Sequence, residues 1–96
     1  MKQFIIIFEF QPLNFVKVAP FKDLIRAYGT YAFLSSNSCI IWSNSLTLNV
    51  VGIRDYLKTG MASNDKLFVA EISAPAAWSS LETNVSDYLV KNLKDI

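Results

Sequence analysis

The stretch from Ile53 to Ile72 constrains the fold more than any other part of the chain. Ile53-Arg54-Asp55-Tyr56-Leu57-Lys58 reads as the end of a helix and Gly60 as its stop. Ser63-Asn64-Asp65 reads as a polar turn and Leu67-Phe68-Val69-Ala70-Glu71-Ile72 as a strand. A helix that returns directly into such a strand is the second half of a split βαβ unit.

The first half of the chain supplies the matching pieces. Gln3 to Phe10 is the expected first strand. Phe4, Ile6, Phe8 and Phe10 share one face, and Gln3, Ile5, Ile7 and Glu9 share the other. Both faces are largely apolar, as in a central strand of a covered sheet. Gln11 to Val18 reads as an irregular entry. Proline is tolerated in the first turn of a helix because the N–H it lacks has no partner there, so the first regular helix is expected from Pro20 to Tyr28. Phe21, Leu24, Ile25 and Tyr28 fall on one side of it, with Lys22, Asp23 and Arg26 on the other. Gly29 follows as a left-handed stop.

Tyr31 to Leu34 and Cys39 to Trp42 are expected to pair as a hairpin across the turn cluster Ser35-Ser36-Asn37-Ser38. Ser45 or Thr47 is the expected cap of the second helix. Its apolar stripe is Val50, Ile53 and Leu57, with Leu46 one turn earlier. Gly52 costs that helix about 1 kcal/mol relative to Ala, a cost a close approach to the sheet would explain. Lys66 to Ile72 is the fourth strand. Pro75 is expected to open a third helix, with Trp78 and Leu81 inward, Thr83 or Asn84 as a cap or break, and Val85, Tyr88, Leu89 and Leu93 continuing the pattern.

The order is β-α-β-β-α-β with a helical tail. It predicts an α+β, ferredoxin-like domain over residues 1–96: an antiparallel four-stranded sheet, two helices on one face, and an extra C-terminal helical segment. The second face is also apolar, so it needs a cover: the tail, a second copy of the chain, or both. A homodimer is the preferred expectation.

Composition narrows the chemistry. The chain has 96 residues, 52% apolar and 14% aromatic, which excludes disorder. Its apolar runs fall well short of the roughly 18 residues of a membrane span, and its first residues lack the flanks and cleavage site of a signal peptide. The single Cys39 forbids an internal disulfide and fits a reducing compartment, so the expected location is cytoplasmic. The sequence contains no histidine, which excludes Ser-His-Asp and Cys-His catalysis and removes the commonest transition-metal ligand. A net charge of +1 gives no overall signature of nucleic-acid binding.

Glu9 is the leading candidate for chemistry, as a catalytic carboxylate or an oxygen ligand for a divalent cation near the end of a central strand. Glu71 is expected on the order of 10 Å or more away, too far for a paired acid and base. Asp55 and Asp65 read as a solvated helix face and ordinary turn chemistry. Cys39 reads as core. Lys17, Lys22 and Arg26 are the candidate nucleic-acid contacts, able to meet phosphates.

One family resemblance runs along nearly the whole chain. Its markers are Ile5-Ile6-Ile7-Phe8-Glu9-Phe10, Tyr28-Gly29-Thr30, Ile53-Arg54-Asp55-Tyr56-Leu57, Asn64-Asp65-Lys66-Leu67-Phe68-Val69, Ala77-Trp78 and Asn92-Leu93. In these the chain resembles the SinR-like family of small proteins, within the ferredoxin-like group that includes VapD toxins and the second CRISPR-associated (Cas-two) protein. The resemblance implies a ferredoxin-like homodimer. In the nuclease relatives an aspartate at the end of the first strand helps hold a metal between two subunits, and the position matching it is Glu9, one methylene longer.

Three functions follow as expectations. The first is a non-enzymatic, dimer-forming interaction module of defence or mobile-element type. The second is an endonuclease on RNA or DNA that uses Mg or Mn, with Glu9 from each subunit. The third is a dimer that binds nucleic acid through Lys17, Lys22 and Arg26 without cutting it.

Overall fold

The computed structural model describes residues 2–73 and 77–93. The elements run β1 (Lys2–Glu9), a short 3-10 helix (Pro12–Lys17), α1 (Val18–Arg26), β2 (Tyr31–Ser35), β3 (Ser38–Ser43), α2 (Val50–Lys58), β4 (Lys66–Ile72) and α3 (Thr83–Leu93). The four strands form one open sheet in the order β2-β3-β1-β4, and every neighbouring pair is antiparallel.

The period-two pattern of β1 gives the sheet two apolar faces. Phe4, Ile6 and Phe8 join Cys39 and Ile41 of β3 on one face, where Phe21 and Ile25 of α1 and Ile53 and Leu57 of α2 cover them. Full burial of each such side chain contributes roughly 1.5–3 kcal/mol. The Phe8, Phe10 and Phe21 rings meet there at centroid distances of 4.8 to 6.2 Å. The other face carries a second cluster of Ala32, Ile40 and Trp42. Leu89 of α3 closes over it, with Trp78, Leu81, Val85 and Tyr88 around it. Trp42 Nε1 donates to Gln3 Oε1 at 3.0 Å inside this layer. The tail therefore covers the β2–β3 part of the second face.

Several local expectations are corrected. α1 begins at Val18, two residues before Pro20, so Pro20 still lies within the first turn, where its missing N–H has no partner. Residues Pro12–Lys17 form a 3-10 helix instead of an irregular entry. The cap of α2 is Asn49, whose Oδ1 accepts from the Gly52 N–H at 2.9 Å, instead of Ser45 or Thr47. Ser45 Oγ accepts from the backbone N–H groups of Thr47 and Leu48 and holds the preceding turn. Leu46 lies in that turn, almost fully exposed, and is no part of the helix stripe. Gly52 is exposed, and its N–H serves the cap; no close sheet contact explains it. The close approach is at Gly60, where an added Cβ would lie 2.8 Å from Leu24 Cδ1. Gly29 adopts the left-handed conformation expected after α1, with φ 89°.

Pro75 lies outside the described residues. Residues 77–82 are not helical, and Ser80 has φ 63°, which breaks a right-handed helix. The helix starts at Thr83, and Trp78 Nε1 donates to Ser86 Oγ at 2.8 Å, folding the preceding segment back over it.

Candidate functional site

The part of the second face that the described residues leave open lies at the C-terminal end of β1. In the β1–β4 ladder Ile5 stands opposite Ala70, Ile7 opposite Phe68, and Glu9 opposite Lys66. Alternation places all six on the face away from α1 and α2. α3 shields Ile5, but Ile7 is 42% exposed and Phe68 58% exposed. The result is an open apolar pair bordered by a carboxylate and an ammonium.

Two shallow hollows flank Glu9. One, of about 190 Å³, is lined by Ile7, Asn37, Lys66 and Phe68. The other, of about 370 Å³, is lined by Phe10, Phe15, Val18 and Asn37. The hairpin turn reaches this end because the Phe8 N–H donates to the Asn37 C=O at 2.9 Å. That bond also sets the ladder's phase. Phe8 turns its backbone groups toward β3, so Glu9 turns its own toward β4 and exchanges them with Lys66.

Asp65 holds this end of the sheet together. Its Oδ1 accepts from the Gln11 N–H at 2.8 Å and from Asn14 Nδ2 at 2.9 Å, and its Oδ2 accepts from the Ala62 N–H at 2.9 Å. Partial desolvation pushes the carboxyl upward. The hydrogen bonds from Asn14, Gln11 and Ala62 and the charge of Lys17 outweigh it and hold the pKa below the usual 3.8. Asp65 thus ties the exit of β1 to the entry of β4. The turn chemistry expected of Asn64-Asp65 is present, but its partners at Gln11 and Asn14 are far away in sequence.

The other candidates are dispersed. Lys22 Nζ lies 5.4 Å and Arg26 Cζ 5.3 Å from the centroid of the Phe33 ring, beside β2. Arg26 also pairs with Asp23 at 2.8 Å. Lys17 acts instead on Asp65, whose pKa its charge helps to lower. Glu71 is opposite Phe4, so it lies on the other sheet face from Glu9 and five residues along the ladder. Asp55 pairs with Arg54 on the exposed side of α2. Cys39 is fully buried, and that burial pushes its thiol up to about 12.

Among the described residues no three His, Cys, Asp or Glu side chains gather into a metal-binding cluster. Glu9 alone, with the Lys66 ammonium opposite it, is a poor donor set for a hard cation that takes about six oxygen ligands. Among those residues no helix is long and apolar enough to cross a membrane. Comparison with protein-family models gives no match, and comparison with curated proteins gives none either.

Proposed function

We propose that this protein is a non-enzymatic interaction module that works as a homodimer on a ferredoxin-like β-α-β-β-α-β frame. The strand order β2-β3-β1-β4, the antiparallel pairings and the joint packing of α1 and α2 on one face support the frame. The defence or mobile-element setting rests on the SinR-like resemblance.

The observation that carries the dimer is the open patch of Ile7 and Phe68 with its border of Glu9 and Lys66. A two-fold axis running along the strands between β1 and β4 would set Ile7 of one copy over Phe68 of the other. The same axis would set Glu9 over Lys66 twice. One patch is then complementary to itself, as an isologous interface requires. Sedimentation equilibrium tests it: the protein associates at roughly tens of micromolar, and a strict monomer there would refute it. The endonuclease expectation is separated in the same preparation. RNA and duplex DNA should stay intact with Mg²⁺ or Mn²⁺, and cleavage that disappears in Glu9→Gln would displace the proposal. Salt-sensitive nucleic-acid binding without cleavage would favour the third expectation.

A further inference from the structure

The free edge of β2 carries a second surface, independent of the dimer patch. Among the described residues β2 ends the strand order and is hydrogen-bonded on one side only, to β3. The Trp42 N–H donates to the Thr30 C=O at 3.0 Å. Because hydrogen-bonded and non-bonded pairs alternate along an antiparallel ladder, Ala32 directs its backbone groups toward β3. Tyr31 and Phe33 direct theirs away, toward the free edge.

That edge is the floor of a groove of about 480 Å³, walled on the far side by Val85 and Tyr88 of α3, with Glu82 at its end. The two flanks differ chemically. Tyr31 and Phe33 lie on the α1 side of the sheet, where the Phe33 ring carries the Lys22 and Arg26 cations. Ala32 and Leu34 lie on the α3 side, against Val85 and Tyr88, with the polar Asn84 beside them. A register irregularity between Phe33 and Ser35 confines the regular edge to Tyr31–Phe33, which blunts indiscriminate strand pairing.

We propose that this groove binds a short extended peptide in which acidic and apolar residues alternate. The peptide adds one strand to β2, with its amides pairing to the outward backbone groups of Tyr31 and Phe33. Its acidic side chains fall beside Phe33 and meet Lys22 and Arg26. Its apolar side chains fall on the opposite side and meet Leu34, Val85 and Tyr88. Single-stranded nucleic acid fits less well, because Lys22 and Arg26 already occupy the Phe33 ring that a base would stack on.

The test is fluorescence anisotropy with a labelled heptapeptide alternating Glu and Val. It is compared with the same peptide carrying Lys for Glu, with a copy N-methylated on alternate amides, and with a labelled single-stranded RNA heptamer. The Glu peptide should bind roughly two- to fivefold more tightly than the Lys peptide, as expected for one rim charge pair at Lys22 with Arg26 already bonded to Asp23. N-methylation on the pairing amides should abolish binding. Lys22→Glu with Arg26→Glu, on the side of α1 that meets Phe33, should reverse the peptide preference while leaving the far-ultraviolet spectrum unchanged. Absence of binding, equal binding of the Glu and Lys peptides, indifference to N-methylation, or preference for the RNA would each overturn the proposal. Sedimentation equilibrium reads the dimer separately, so failure of one does not imply failure of the other.

Discussion

Glu9 and Lys66 stand directly opposite one another at the last row of the β1–β4 ladder, one row beyond Ile7 and Phe68. Opposite charges at such a position are favourable within the chain. They also border an open apolar pair, and a two-fold operation along the strands exchanges the two charges. One local arrangement thereby supports both the sheet end and a self-complementary surface.

Phe68 is the residue whose loss should affect association most. It is 58% exposed and points away from α1 and α2, so Phe68→Ser removes little core. Sedimentation equilibrium is expected to show the dissociation constant raised by roughly tenfold or more, as for a central aromatic in an interface. The urea midpoint of the monomer should change little.

The buried bond between Trp42 and Gln3 gives a stability prediction. Gln3→Leu leaves the Trp42 indole N–H without its acceptor and should cost about 1–3 kcal/mol in urea denaturation. Trp42→Phe in the same background removes the stranded donor. The double variant should lose less than the sum of the two single losses.

Asp65 should govern part of the acid limb. Its folded carboxyl lies below its ordinary value of 3.8, so the unfolded chain takes up its proton first as pH falls. The stabilisation is fully present above the ordinary carboxylate range and is lost as pH falls through the lowered folded value. Urea midpoints against pH should therefore separate wild type from Asp65→Asn at neutral pH, and the separation should shrink in strong acid.

Cys39 should report unfolding. Fully buried, with its thiol pushed up to about 12, it should resist iodoacetamide at pH 8. Labelling is expected to rise with urea along the same transition that circular dichroism follows.

The sequence makes the sheet legible because Gln3–Phe10 and Lys66–Ile72 are short, near-continuous apolar runs, which read as strands with two apolar faces. The stripe Val50, Ile53 and Leu57 gives α2 by its helical spacing. Local capping was harder to read. Asn49, Ser45 and Thr47 all carry a side-chain oxygen near the helix start, and only the Gly52 contact decides among them. The sequence offers two starts for the last helix, Pro75 as a credible first-turn proline and Thr83 or Asn84 as a cap or break; the described residues begin α3 at Thr83, after Ser80 adopts a positive φ.

The candidate site was half legible. Glu9 was identifiable as a carboxylate at a strand end. Its opposition to Lys66 follows only from the register, and the exposure of Phe68 depends on how far α3 reaches across the sheet. Asp65 looked like a turn residue because its partners Gln11 and Asn14 are about fifty positions away. Lys22 and Arg26, four apart on one helix, were expected to share a face, but nothing local directs them to Phe33.

Charge exchange at the last ladder row is the most direct measurement. Sedimentation equilibrium of wild type, Glu9→Lys, Lys66→Glu and the double exchange would be compared, with urea denaturation as a control for folding. Each single reversal should weaken association roughly three- to tenfold, because each would be met twice across the proposed two-fold axis, and the double exchange should recover most of the loss. A wild type that stays monomeric at roughly tens of micromolar, or single reversals that leave association unchanged, would contradict the account.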